Sequence, residues 1–177
     1  MILRCPKRGD GPAMNAAIME SLADIQRWLP WAATVPTVEE SEVNVQETEF
    51  KFMARDSFEY LMFLPDSKNC IGRVGFVKVD WRLSSFEIGY WIRQSYGGQG
   101  YMTEAVQTLT DYAFDHLAAT RVVIRCHALN ERSAAVAQRA GFIHEGTLRS
   151  VFRDPFNNTL ADLMIFAMVE KDRGIKV

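Results

Sequence analysis

Three glycines fall within four residues at 97–100 of "SYGGQGYMTEA", and a helical pattern begins directly behind them. Glycine inside a regular element costs about 0.5–1 kcal/mol relative to alanine, so such a cluster marks a sharp bend or a backbone that must approach a ligand. The first turn of a helix carries unbonded N–H groups and the positive end of the helix dipole, and it attracts anions. Gly98 and Gly100 place no Cβ between a phosphate and the backbone donors that run from Gly98 through Gln99 and Tyr101 to Met102. A tight strand-to-helix turn without a ligand is the other reading of the same residues. The stretch lacks the GxxxxGK[ST] pattern of a nucleotide-binding loop, and GxGxxG does not fit it.

A second group lies in "CHALNERSAAVAQRAGF" (126–142), where Asn130 opens a helix, Ser133 follows three residues later and Gly141-Phe142 closes it. Asn is among the best N-caps. In "FEIGYWI", strand alternation sets Glu87 on one face with Gly89, Trp91 and Arg93. A carboxylate in a central strand needs a partner, which leaves Glu87 either a general base or half of an ion pair with an arginine. His116, His127 and His144 show no ligand spacing, and Cys5, Cys70 and Cys126 form no CxxC pair, so no metal site is expected.

These residues need elements to hold them. Strand patterns occupy residues 1–5, 58–64, 70–81, 84–93 and 121–128, followed by "FIHEGTLRSVF" and "LADLMIFAMVEK". Helical periodicity runs from Asp10 or Gly11 to Leu22, from an N-cap at Thr37 to about Met53, from Met102 to Leu117, and from Asn130 to Ala140. Pro30 breaks "RWLPWA", and Pro65-Asp66-Ser67 reads as a turn. The order predicts an α/β fold with a mixed sheet, in which strands 84–93 and 121–128 run parallel across the intervening helix.

The 177 residues, 48% hydrophobic and 24% charged, suffice for one domain over 1–177 with a full core. A net charge of -2 without a basic block argues against nucleic acid as partner. No stretch approaches the ~20 apolar residues of a membrane span, so no membrane partner is expected. Three scattered cysteines point to a reducing cytoplasm.

Taken together, the two blocks resemble the GNAT superfamily of N-acetyltransferases. "YGGQGYMTEA" is similar to its Q/R-x-x-G-x-G/A loop, and "NERSAAVAQRAGF" to its N-x-x-S…G-F block; "RWLPWA" and "FEIGYWI" bring the chain nearest to the RimL/RimJ-like ribosomal-protein N-terminal acetyltransferases. The resemblance covers about residues 1–170. It implies a mixed, mostly antiparallel central sheet with a parallel splayed strand pair and helices on both faces. It also implies acetyl-CoA as cosubstrate, its pyrophosphate on the 98–102 loop and its pantetheine arm on the backbone of Trp91, Ile92 and Arg93, with an N–H near Ile92 polarising the thioester carbonyl. Asn130 would bind the pantetheine, with a purely capping role as the alternative. Ser133 would stand at the sulfur as a hydrogen-bond donor to the departing thiolate, or merely support its own helix. Trp28 and Trp31 would flank the acceptor mouth or pack under a helix kink, and Asp162 would bind the substrate amine or end a hairpin. Cys126 fits a cysteine of the subgroup and reads as a buried thiol; Glu145 falls in its "GFxxEG" pattern. Two departures stand out. Ser95 occupies the loop's usual Gln or Arg position, and the segment 148–153 lacks the subgroup's glutamate base.

The implied activity is acetylation of a primary amine, with a protein N-terminal α-amine of the ribosomal-protein-serine or -alanine type first. Acetylation of a polyamine, amino acid or drug remains open, as does a non-catalytic CoA-binding regulatory module. A homodimer is also left open.

Overall fold

The computed structural model describes residues 1–65, 67–154 and 157–174. Asp66 of the turn read at 65–67 lies outside them. Seven strands hydrogen-bond in the order β1-β2-β3-β4-β5-β7-β6. They are β1 (Ile2–Arg4), β2 (Phe58–Phe63), β3 (Cys70–Asp80), β4 (Ser85–Ile92), β5 (Arg121–His127), β6 (Ile143–Arg153) and β7 (Leu160–Val169). β1–β2, β2–β3, β5–β7 and β6–β7 pair antiparallel. β4 and β5 are parallel, with Ser85–Ile88 in register with Arg121–Ile124. A parallel pair needs a long crossover, and α4 (Tyr101–His116) supplies it. The expected mixed sheet is present, its parallel pair included.

The chain forms two compact units, Met1–Val77 with Tyr90–Met102, and Lys78–Gly89 with Thr103–Val177. In the first, α1 (Gly11–Glu20), α2 (Leu22–Trp28) and α3 (Val38–Met53) bury Met14, Ile18, Ile25 and Val45 together with Leu61, Phe63 and Trp91. Each large apolar side chain buried this way is worth about 1.5–3 kcal/mol. α3 starts where its cap predicts. The Glu40 N–H donates to Thr37 Oγ1 at 3.1 Å while the Thr37 N–H donates to the Glu40 carboxylate at 2.8 Å, a capping box.

α1 departs from the sequence pattern, which runs on to Leu22. The helix stops at Glu20 and α2 starts at Leu22, with Ser21 between them at φ -107° and ψ 9°. The Ser21 N–H turns to the Ile18 carbonyl, three residues back, at 3.0 Å, and Ser21 Oγ accepts the Gln94 N–H at 2.8 Å.

In the second unit, α4 and α5 (Glu131–Arg139) bury Val106, Leu109, Ala113 and Ala137, and the strands bury Phe86, Ile88, Val122, Ile124, Cys126 and Phe166. Gly141, at φ +91°, takes the left-handed position behind α5. Along β5 the buried residues alternate: 122, 124 and 126 are covered, while Arg121, Val123, Arg125 and His127 are partly or fully exposed. Among the described residues no helix is long and apolar enough to cross a membrane.

Candidate active site

The glycine loop lies at the end of the first unit, and α1 holds it in place. Arg93 Nε donates to Glu20 Oε2 at 2.6 Å, the Ser95 N–H donates to Glu20 Oε1 at 3.1 Å, and the Gln94 N–H goes to Ser21. These contacts hold the Glu20 carboxyl down to about 2, the Arg93 guanidinium being the largest cause. The Gln99 side chain donates to the Ser95 carbonyl at 3.0 Å and closes the loop. Ser95, where the family pattern has Gln or Arg, therefore serves through its backbone at both ends, and its hydroxyl bonds the same Glu20 carboxylate.

Gly98 and Gly100 sit at φ +74° and +87°, a region that side chains disfavour, and a Cβ built on either would meet no atom within 4 Å. The glycines are needed for their backbone angles, and the space in front of them is open. Directly behind them Tyr101 opens the 16-residue α4. Met102 is buried, so its contribution to an anion site falls to its N–H.

Upstream, Trp91 belongs to the core cluster of its unit. Arg93 has its backbone engaged at both ends, since its N–H donates to the Ile71 carbonyl at 2.8 Å and its carbonyl accepts the Tyr96 N–H at 2.9 Å. Its guanidinium is held by Glu20. Trp28 closes α2 under the Arg27 guanidinium, 4.6 Å from its ring centre. Trp31, in the 3-10 turn Pro30–Ala33, is 51% exposed, which excludes packing under a kink for that residue.

The second unit carries the other candidates along β5 and the turn behind it. Asn130 Oδ1 accepts the Ser133 N–H at 3.1 Å, so the asparagine caps α5 as the sequence suggests. The Ser133 hydroxyl is hydrogen-bonded to the Cys126 thiol; burial pushes that thiol up, and the serine offsets part of the rise. Glu87 realises the ion-pair reading, with Arg125 2.7 Å away. Asp162 does not end its hairpin: it is the third residue of β7, and its carboxylate accepts the Ser150 N–H at 2.7 Å, bracing an irregular stretch of β6 where Ser150 has φ +51°. Glu145 is ion-paired with Arg121.

One pair went unread in the sequence. His127 ends β5, its Nδ1 accepts the Leu129 N–H at 3.0 Å, and its Nε2 stands 3.6 Å from Asp154 Oδ2, both side chains being about seven-eighths buried (12% and 13% exposed). Phe152 packs edge-on against the imidazole at 5.5 Å. A histidine closing a buried strand just before an N-cap asparagine was the available signal; spacing rules for metal ligands do not detect it. Among the described residues no cluster of His, Cys, Asp or Glu is suited to hold a metal.

The family model described as acetyltransferase (GNAT) domain matches residues 1–143, most of the chain. The chain belongs to this family. It is 29% identical over 145 residues to the ribosomal-protein-serine acetyltransferase of Escherichia coli (strain K12), covering 82% of this chain and 79% of that protein. Its fold matches that of RimL, a ribosomal L7/L12 alpha-N-protein acetyltransferase, in complex with coenzyme A, with a TM-score of 0.87 at 27% identity over 94% of this chain and 92% of that one. A structure from Salmonella typhimurium of an acetyl transferase that modifies the N-terminal serine of the 50S ribosomal subunit protein L7/L12 matches with a TM-score of 0.82 at 27% identity, over 94% and 93%. As an acetyltransferase, the chain departs from the wider GNAT loop pattern at Ser95, and the Glu20 contacts describe how the loop is held without the usual side chain.

Proposed function

We propose that this acetyltransferase moves an acetyl group from acetyl-CoA to the α-amine of a protein N-terminus of the ribosomal-protein-serine type. The observation that carries the acceptor is the near full-length similarity to a ribosomal-protein-serine acetyltransferase, 82% of this chain and 79% of that protein. We read residues 1–177 as one acetyltransferase domain, a reading supported by the family match over 1–143 and by the fold likeness over 94% of the chain.

The donor fits the loop. Exposed positive-φ glycines with open space before them, at the start of a long helix, suit a pyrophosphate. In this reading Gly98, Gln99, Gly100, Tyr101 and Met102 hold it through backbone N–H groups. Trp91 and Ile92 offer main-chain groups to the pantetheine arm, since those of Arg93 are engaged within the unit. Acetyl-CoA supplies the thioester carbonyl on which the transfer takes place. Asn130 binds with its amide while its oxygen caps α5, and Ser133 gives a hydrogen bond to the sulfur as it leaves. Exposed Trp31, with Trp28, lines the way in for the acceptor.

An α-amine titrates near 7.7–8.0 against about 10.4 for lysine, so a chain end needs little help to become nucleophilic. The unpaired cysteines Cys5, Cys70 and Cys126 suit a reducing cytoplasm, where ribosomal proteins are made.

Thiol release from acetyl-CoA, screened against serine-, alanine- and methionine-terminated peptides, N-blocked lysine peptides and polyamines, tests the reading. Turnover confined to polyamines would replace it with the small-amine function. Binding of acetyl-CoA without any turnover would replace it with a regulatory module.

A further inference from the structure

An α-amine that titrates near 7.7–8.0 is still mostly ammonium at pH 7, so even a chain end must lose a proton before it attacks, and three carboxylates around β5 have partners of their own. Glu87 is paired with Arg125, Glu145 with Arg121, and Asp162 with the Ser150 N–H. Asp154, directly after β6, counts the His127 imidazole and the Asn157 amide among its contacts, the latter at 3.3 Å.

The tautomer of that imidazole follows from its contacts. Nδ1 accepts the Leu129 N–H, so the ring proton sits on Nε2, the nitrogen that faces Asp154. At 3.6 Å the contact is longer than a hydrogen bond, a length at which catalytic pairs are often found before substrate binds. His127 directly follows Cys126, and consecutive strand residues point to opposite faces. The Cys126 thiol is bonded to Ser133 on one face, while His127 and Asp154 lie on the other. An amine adding to a thioester arrives on one side of the carbonyl, and the sulfur has to be served separately. The end of β5 provides a group for each task.

We propose that Asp154 takes the proton of the acceptor ammonium and that His127 is its positioning residue, donating from Nε2. This rests on the acetyltransferase reading above. The step balances as follows. The Asp154 carboxylate removes one proton from the ammonium, and the freed nitrogen pair forms the C–N bond. The C–S bond breaks with its electrons on sulfur, a second nitrogen proton passes to the thiolate by way of Ser133, and Asp154 returns its proton to water.

Three variants separate this role from a structural one. Asp154→Asn should lower kcat by about 10²-fold or more, within the usual ~10²–10⁴ range for a positioned acid or base, and leave the acetyl-CoA dissociation constant unchanged. His127→Asn keeps an oxygen for the Leu129 N–H but does not reach Asp154, so it should lose kcat and keep its melting temperature. His127→Gln reaches Asp154 and forfeits the Leu129 contact, so it should recover kcat and melt earlier. Wild-type kcat in Asp154→Asn, or equal losses of kcat in both His127 variants, overturns the proposal. Each variant is assayed with a serine-terminated hexapeptide and with spermidine. Activity on spermidine alone sinks the N-terminus reading and still measures the dyad. Independently of any acceptor, histidine ¹⁵N NMR should find the His127 proton on Nε2 and its signal shifted in Asp154→Asn; a proton on Nδ1 overturns the pairing.

Discussion

The Arg93 guanidinium lies 2.6 Å from the Glu20 carboxylate, tying the residue after β4 to the last residue of α1. The same carboxylate takes the Ser95 N–H, so one side chain sets where the glycine loop begins. Glu20→Gln should weaken acetyl-CoA binding several-fold and lower the melting temperature slightly. The pH dependence has a definite sign. A carboxyl lowered from 4.5 to about 2 stabilises the fold fully above 4.5, and the contribution is lost as pH falls toward 2. Melting curves of wild type and Glu20→Gln should therefore differ by a constant amount from pH 6 to 8 and converge in acid, as calorimetry at stepped pH would show.

The loop glycines adopt angles that a β-branched residue tolerates poorly. Gly98→Val and Gly100→Val should each raise the acetyl-CoA dissociation constant at least tenfold while the chain stays folded, because a side chain at either position meets no neighbouring atom. Titration calorimetry on variants with native circular dichroism checks this. Unchanged affinity would remove the anion site from the loop.

Ser133 and Asn130 share a helix turn but should respond differently. Ser133→Ala should lower kcat about 10–100-fold, since it removes a single proton-handling contact. Cys126→Ala should leave kcat near wild type, which would show that the serine's partner in catalysis is the leaving sulfur and not the buried thiol. Asn130→Ala removes a cap worth about 1 kcal/mol and should lower the melting temperature by ~2–4 °C, with weaker cofactor affinity. Steady-state kinetics and thermal melts together separate the three.

Glu87 faces Arg125 and is 20% exposed at its side chain. Glu87→Gln should reduce kcat less than tenfold and cost under about 1 kcal/mol, the usual limit for a partly exposed pair. A loss of a hundredfold or more would restore Glu87 as the base and remove that task from Asp154.

Features set by nearby residues could be read from the sequence, whereas contacts between distant ones could not. Thr37 and Glu40, three residues apart, announced α3; Gly141 announced the end of α5; and the positive angles of Gly98 and Gly100 were implicit in a glycine cluster before a helix. The role of Ser21 could not be read either, because its hydroxyl's partner is the distant Gln94 N–H. The same holds for Glu20 with Arg93, Glu87 with Arg125 and His127 with Asp154, each formed only when strands and helices come together. For Asp162 the resemblance offers the substrate amine or the end of a hairpin, whereas its partner in the fold, the Ser150 N–H, depends on an irregularity in β6 that no local pattern marks.

The central claim concerns the acceptor nitrogen, and tandem mass spectrometry addresses it directly. A peptide with a free N-terminal serine and an internal lysine is incubated with the enzyme and acetyl-CoA, and the fragment ions locate the added acetyl group. The account predicts acetyl on the α-amine and none on the lysine, with the N-blocked version of the same peptide left unmodified. Acetyl found on the lysine, or no modified peptide while spermidine is acetylated under the same conditions, would contradict it.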